Sequence, residues 1–130
     1  MRMFVDTGAW YALVDERDPS HAEALDLVEG AHAELITTNW VVGESLNLTR
    51  SRLGHRVAVT LGAELRVRPG IRIVRVGQKD EEEAWRLFQR YADKDFSFTD
   101  CTSFAVMRRL GLTRAFAFDR HFQQMGFRVN

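Results

Sequence analysis

Arg2-Met3-Phe4-Val5-Asp6-Thr7-Gly8-Ala9-Trp10-Tyr11-Ala12-Leu13-Val14 decides the fold. Arg2 to Val5 is short and apolar, the pattern of a fully buried strand, and a carboxylate, Asp6, ends it. Gly8 to Val14 is apolar enough for a short buried helix or turn. The rest of the chain repeats this handover. Asp18-Pro19-Ser20 marks a helix start, with Ala22, Leu25 and Val28 at helical spacing until Gly30. Leu35 to Thr38 is a second strand and Asn39 to Arg50 a helix. Gly54 breaks the chain before a helix that lines up Val57, Leu61 and Leu65. Pro69-Gly70 is a turn, Ile71 to Val76 a third strand, and Ala84, Leu87, Phe88 and Tyr91 form the buried stripe of the next helix. A helix from Phe98 to Arg109 stops at Gly111. Ala115 to Phe118 is a fourth strand, and Phe127 to Val129 a short edge strand. Strands alternating with helices imply a parallel sheet covered on both faces. With no repeat and no dividing linker, residues 1–130 read as one domain.

In open parallel sheets, ligands bind beyond the carboxyl ends of the strands. Four isolated acids fall there or nearby. Asp6 closes Met3-Phe4-Val5, and Asp119 closes Ala115-Phe116-Ala117-Phe118. Glu44 lies on the helix leaving the second strand, and Asp100 opens the helix leading into the fourth. Two bare carboxylates about 4 Å apart repel by roughly 4 kcal/mol at an effective dielectric near 20. Such a cluster takes up protons or holds a cation, and oxygen ligands at this density suit Mg²⁺ or Mn²⁺.

Each acid has a structural alternative. Asp6 and Asp119 are potential helix caps. Glu44 has Trp40, Val41 and Leu48 as helical neighbours, so its face is expected to be largely buried, with an arginine as its alternative partner. Ser97-Phe98-Thr99-Asp100 fits a capping box, which leaves one carboxylate oxygen of Asp100 to spare. For any single acid the structural reading competes. For all four at one sheet edge it does not.

Acidic and basic residues balance at 18 each in 130 residues, so no global field attracts nucleic acid or an anionic membrane. The lone Cys101 excludes an internal disulfide or a cysteine zinc site and suits a reducing compartment. It reads as a small core residue. No run approaches the roughly 20 apolar residues of a membrane span, and a cytoplasmic location is expected. Arg50, Arg52 and Arg56 are candidate phosphate contacts or a solvated surface. His121 is close enough to Asp119 to touch a substrate, whereas His21, His32 and His55 read as surface residues. Trp10, Tyr11, Trp40 and Trp85 read as core before they read as base-stacking platforms.

The stretches Phe4-Val5-Asp6-Thr7-Gly8-Ala9, Thr38 to Glu44, Asp95 to Met107, and Ala117-Phe118-Asp119-Arg120-His121-Phe122 with Gly126-Phe127 resemble those of PIN-domain nucleases, more narrowly VapC-type toxins of toxin–antitoxin pairs. The resemblance implies a three-layer α/β/α fold with a four- or five-stranded parallel sheet. It implies an endoribonuclease that uses Mg²⁺ or Mn²⁺ and metal-activated water, with Asp6, Glu44, Asp100 and Asp119 as the catalytic and metal-binding quartet. Thr7, Ser97 and Thr99 become supporting polar residues. The implied partners are RNA, a small antitoxin and a second copy of the chain. Gly8 departs from the pattern, standing where many members carry a second small polar residue. The alternatives are a PIN nuclease of RNA processing and a catalytically silent PIN scaffold that binds RNA or protein.

Overall fold

The computed structural model describes residues 1–30 and 34–130. Its elements are β1 (Arg2–Val5), α1 (Thr7–Val14), α2 (His21–Glu29), β2 (Glu34–Thr38), α3 (Asn39–Leu53), α4 (His55–Val67), β3 (Ile71–Val74), α5 (Gln78–Arg90), α6 (Phe98–Leu110), β4 (Arg114–Phe116), α7 (His121–Gln124) and β5 (Arg128–Val129). The strands form one sheet in the order β3-β2-β1-β4-β5, with every pair parallel. Met3, Phe4 and Val5 are all buried, as are Leu35, Ile36, Thr37 and Thr38. Successive strand residues point to opposite faces, so unbroken burial means that helices cover both faces of the central strands.

The chain starts in the middle of the sheet, builds β2 and β3 on one side, then returns to add β4 and β5 on the other. The reversal lies between β1 and β4, and a crevice opens at such a switch point beyond the strand ends. Phe4 pairs with Ala115 and Val5 with Phe116, and the Asp6 N–H donates to the Phe116 carbonyl at 3.1 Å. This register sets Asp6 beside the chain leaving β4. Beneath it the Trp10 indole N–H donates to the Thr37 hydroxyl, which donates to the Val5 carbonyl, at 3.2 and 3.0 Å. α1, β2 and β1 are thereby locked together under the crevice.

Three boundaries differ from the sequence expectation by two residues or more. β3 ends at Val74 and not Val76, because the Val76 N–H is taken by the Asn39 side chain at 2.8 Å. β4 ends at Phe116, because Ala117 donates to the Asn130 side chain at 3.0 Å. α3 runs on past Arg50 to Leu53, before Gly54 at φ 96°. The α2 stripe is also rotated. Ala24 is its buried residue, with Leu27 and Val28 packed on the core, while Ala22 is exposed. Of the expected α5 stripe, Ala84 and Leu87 are buried, but Phe88 is 43% exposed. Trp10 and Tyr11 are core residues as expected and Trp40 is half-buried, whereas Trp85 is 54% exposed. Cys101 is buried and free. His55 is exposed, and His21 is tied through Nδ1 to the Ala12 carbonyl. His32 lies outside the described residues.

Candidate active site

Asp6 occupies the N-cap position of α1, yet its side chain makes no capping hydrogen bond. It is 95% shielded from solvent. Burial is the main reason its carboxyl is pushed up to about 8, and the nearby carboxylates of Asp100, Asp119 and Glu44 push the same way against the opposing Thr7 N–H. These are the four acids singled out from the sequence. One buried carboxyl feels the other three, so the fold brings them to a single locality.

Each acid is held differently. Asp100 is set by its capping box: the Ser97 hydroxyl accepts the Asp100 N–H, and Asp100 Oδ2 accepts the Ser97 N–H, both at 3.0 Å. The same Oδ2 lies 2.6 Å from His121 Nδ1. Burial raises the Asp100 carboxyl and the Asp119 charge adds to it, while the Ser97 N–H and His121 act in opposition. Asp119 sits just past β4, where its Oδ1 accepts the His121 backbone N–H at 3.0 Å. Asp100, Asp119 and His121 each offer a ligand atom within 4.8 Å of the others.

Glu44 departs from expectation. It is exposed, because the face it shares on α3 opens onto the crevice where the sequence spacing implied closed core. Its partner is no arginine. Thr7 donates its hydroxyl to Glu44 Oε1 at 2.6 Å, tying α1 to α3 across the site. Among the described residues, no arginine or lysine makes an ion pair with any of the four acids. By contrast Asp80, a buried acid outside the quartet, is gripped by Arg109 in a two-pronged pair at 2.8 and 2.9 Å. Buried charges are ordinarily paired or bound to metal. A crevice with four carboxylates, Asp6 and Asp100 of them buried, and with no arginine or lysine paired to them fits a hard divalent cation by its donor chemistry.

The PIN domain family model matches residues 3–128. The chain belongs to the PIN-domain family. It is 40% identical over 125 residues to the 23S rRNA-specific endonuclease VapC20 of two Mycobacterium tuberculosis strains, covering 96% of this chain and 95% of theirs. The crystal structure of Mycobacterium tuberculosis VapC20, described as a sarcin–ricin loop cleaving toxin, superposes with a TM-score of 0.89 at 39% identity, over 96% of this chain and 95% of that one. VapBC2 of Rickettsia felis bound to a promoter DNA fragment gives a TM-score of 0.73 at 10% identity, over 100% and 98% of the two chains, a likeness of fold.

The remaining residues of the PIN crevice divide into those that touch the acids and those that do not. Thr7 and Ser97 each bond to one. Thr99 acts through its carbonyl, which accepts the Thr102 hydroxyl at 2.6 Å within the same helical turn. A Cβ at Gly8 would sit 3.7 Å from Phe118 Cδ2, an ordinary contact, so packing does not bar a side chain where many PIN domains have one. Arg50, Arg52 and Arg56 are exposed on the α3–α4 corner. Arg50 lines a groove between those helices with His55 and Arg66, and Arg52 covers the Tyr11 ring at 5.2 Å. At 1.5 Å per helical residue, Arg50 and Arg52 lie about 9 and 12 Å along α3 from Glu44. The sequence pointed to His121 through its nearness to Asp119, but its bond to Asp100 was not legible. The two are 21 residues apart and meet only because α7 folds against α6.

Proposed function

We propose that this protein is a metal-dependent endoribonuclease, the toxin of a toxin–antitoxin pair, acting in the cytoplasm on ribosomal RNA. The observation that carries the reading is the unpaired, buried Asp6 close to Glu44, Asp100 and Asp119, none of which pairs with an arginine or lysine among the described residues. Likeness to VapC20 along nearly the whole chain makes 23S rRNA, at the sarcin–ricin loop, the substrate to test.

Asp6, Asp100 and Asp119 would hold the principal ion, with Glu44 completing the set or holding a second. A bound Mg²⁺ or Mn²⁺ supplies positive charge at the scissile phosphate and acidifies a water. The chain's own part is to fix the oxygens that do the holding. Ser97 and the first turn of α6 orient Asp100, Thr7 orients Glu44, and β1 delivers Asp6 rigidly from the centre of the sheet. Water displaces the 3′-oxygen from phosphorus, which leaves a 5′-phosphate and a 3′-hydroxyl. Cys101 takes no part, since burial and the adjacent Asp100 push its thiol up to about 11.

The partners follow from the same reading. A small antitoxin would cover the acidic crevice. A second copy of the chain would cover the exposed aromatic surface of α5. There Trp85 stacks on Phe88 at 6.2 Å, Phe88 meets Phe98 at 5.8 Å, and Phe98 meets Trp40 at 5.5 Å. Glu81 and Glu82 lie toward the start of this helix and Arg90 at its end. Two copies of α5 packed antiparallel about a two-fold axis would set acid against base around Trp85.

The deciding experiment incubates ribosomes or total RNA with the purified protein in Mn²⁺ or chelator and maps the new ends by primer extension. Wild type with Mn²⁺ cuts at one or a few sites and Asp100→Asn does not. Cyclic 2′,3′-phosphate ends would refute hydrolysis by water. Metal binding without cleavage of any RNA would favour the silent scaffold.

A further inference from the structure

His121 makes contact with two of the four acids through two different groups. Its backbone N–H donates to Asp119 Oδ1 at 3.0 Å, and its ring Nδ1 lies 2.6 Å from Asp100 Oδ2. That Oδ2 already accepts the Ser97 N–H, so it is an acceptor and the imidazole carries its hydrogen on Nδ1. The outcome is an ordered division of oxygens. Asp100 Oδ2 and Asp119 Oδ1 are engaged by the protein, while Asp100 Oδ1 and Asp119 Oδ2 accept no protein hydrogen bond among the described residues. The ring is itself held. Phe96 meets it edge-on at 5.6 Å between centroids, and a quarter of the side chain is exposed.

We propose that His121 is a positioning residue for the metal site, presenting one free oxygen from each of Asp100 and Asp119 to the same cation while remaining outside its coordination sphere. The proposal rests on the metal-dependent reading above. It is distinct from a histidine that touches RNA, because it assigns His121 an effect in the absence of any substrate. Outer partners that orient ligands contribute typically 10- to 100-fold to metal affinity.

Mn²⁺ binding to the RNA-free protein, followed by electron paramagnetic resonance, tests this in wild type, His121→Phe and His121→Asn. Phenylalanine keeps the ring against Phe96 and removes the donor, whereas the asparagine amide replaces the Nδ1–H. Binding should weaken about ten-fold or more in His121→Phe and return to within about three-fold of wild type in His121→Asn, with metal-free Tm values alike. Spin-echo modulation of wild-type Mn²⁺ should show no directly ligated nitrogen. Equal affinity in wild type and His121→Phe overturns the proposal. So does an asparagine variant as weak as the phenylalanine one, or a nitrogen ligand in the wild-type spectrum. Should His121→Phe not fold, His121→Gln, with its amide one methylene further out, is expected to bind weakly, and wild-type affinity there overturns the proposal equally. A wild type that binds no Mn²⁺ overturns the metal-dependent reading together with this one. A wild type that binds while the variants match it overturns this one alone.

Discussion

Asp6 makes the metal-free protein prefer acid. Its carboxyl is raised in the folded state to about 8 from the ordinary 3.8, so between those values the folded chain holds a proton that the unfolded chain has released. Stability therefore falls as pH rises through that window, and the contribution from neutral Asp6 is full only below it. Thermal melts in chelator should show Tm declining from pH 5 to pH 8, more steeply than in Asp6→Asn. Adding Mn²⁺ should raise Tm more at pH 8, where the ion meets a carboxylate and not an acid. A flat profile shared by both proteins would remove the electrostatic basis of the site. Asp100→Asn separates two roles in a single residue. The amide oxygen can still accept the Ser97 N–H, so the reciprocal pair of the capping box survives. Cleavage should be lost while Tm holds or rises, since a like charge leaves a crowded crevice. A variant that melts early and still cuts would make Asp100 a cap alone.

At the scale of elements, α5 and α6 are clamped by Asp80 and Arg109, and this pair behaves oppositely to Asp6. Burial pushes the Asp80 carboxyl up, but Arg109 and the Gly77 N–H outweigh it and hold it below the usual carboxylate range. The stabilisation is thus present above the unfolded carboxylate pKa and is lost on acidification through the lowered folded one. Arg109 is about half exposed, so Arg109→Ala should cost about 1–2 kcal/mol at pH 7, below the 3–5 of a fully buried broken pair. Urea midpoints at pH 7 and pH 4 check the sign, because the stranded Asp80 makes the variant's deficit shrink as the pH falls. The end of α6 offers a second test. Gly111 sits at φ 69°, its N–H donates to the Arg108 carbonyl, and the Leu112 N–H reaches back to Met107 at 2.8 Å. Gly111→Ala at this left-handed position should cost about 1 kcal/mol in urea melts without moving the metal affinity.

Much of this element-level structure was legible in the sequence. Met3-Phe4-Val5 and Leu35-Ile36 announced central strands because nothing polar interrupts them, and Ser97-x-x-Asp100 announced a helix start through chemistry confined to one turn. Strand ends were misjudged where a distant side chain takes over a backbone hydrogen bond, as Asn39 does at Val76 and Asn130 at Ala117. Glu44 was misjudged for a related reason. Helical spacing shows which residues share a face but not whether that face meets core or a crevice. The acids were findable because each interrupts an apolar pattern. The His121–Asp100 bond interrupts nothing and depends on packing alone.

At the scale of the whole molecule, a net charge of zero leaves no global pull toward RNA, so binding is expected to depend on metal and on local arginines. RNA affinity in Mn²⁺ should fall only a few-fold between roughly 50 and 200 mM salt, against the 10³ or more of a protein making many phosphate contacts. The steeper slope would point to a basic surface assembled by pairing of two copies. That pairing is checked separately. Trp85→Glu should shift the protein from dimer to monomer in light scattering while leaving the metal-free Tm within about 2 °C, because the indole is mostly exposed. A dimer that survives the change places the second copy elsewhere.

Beginning at the sheet's middle and closing it last has an outcome for the cell that makes this chain. Two members of the quartet lie at residues 6 and 44, a third at 100, and the fourth at 119, just past β4, the strand that pairs with β1. On the proposed function, a nascent chain cannot assemble the quartet until residue 119 has been made. Products that stop before Asp119 lack the complete quartet. Activity is then acquired in one step, when the fourth acid joins the other three, and an antitoxin need only be ready for chains that carry all four.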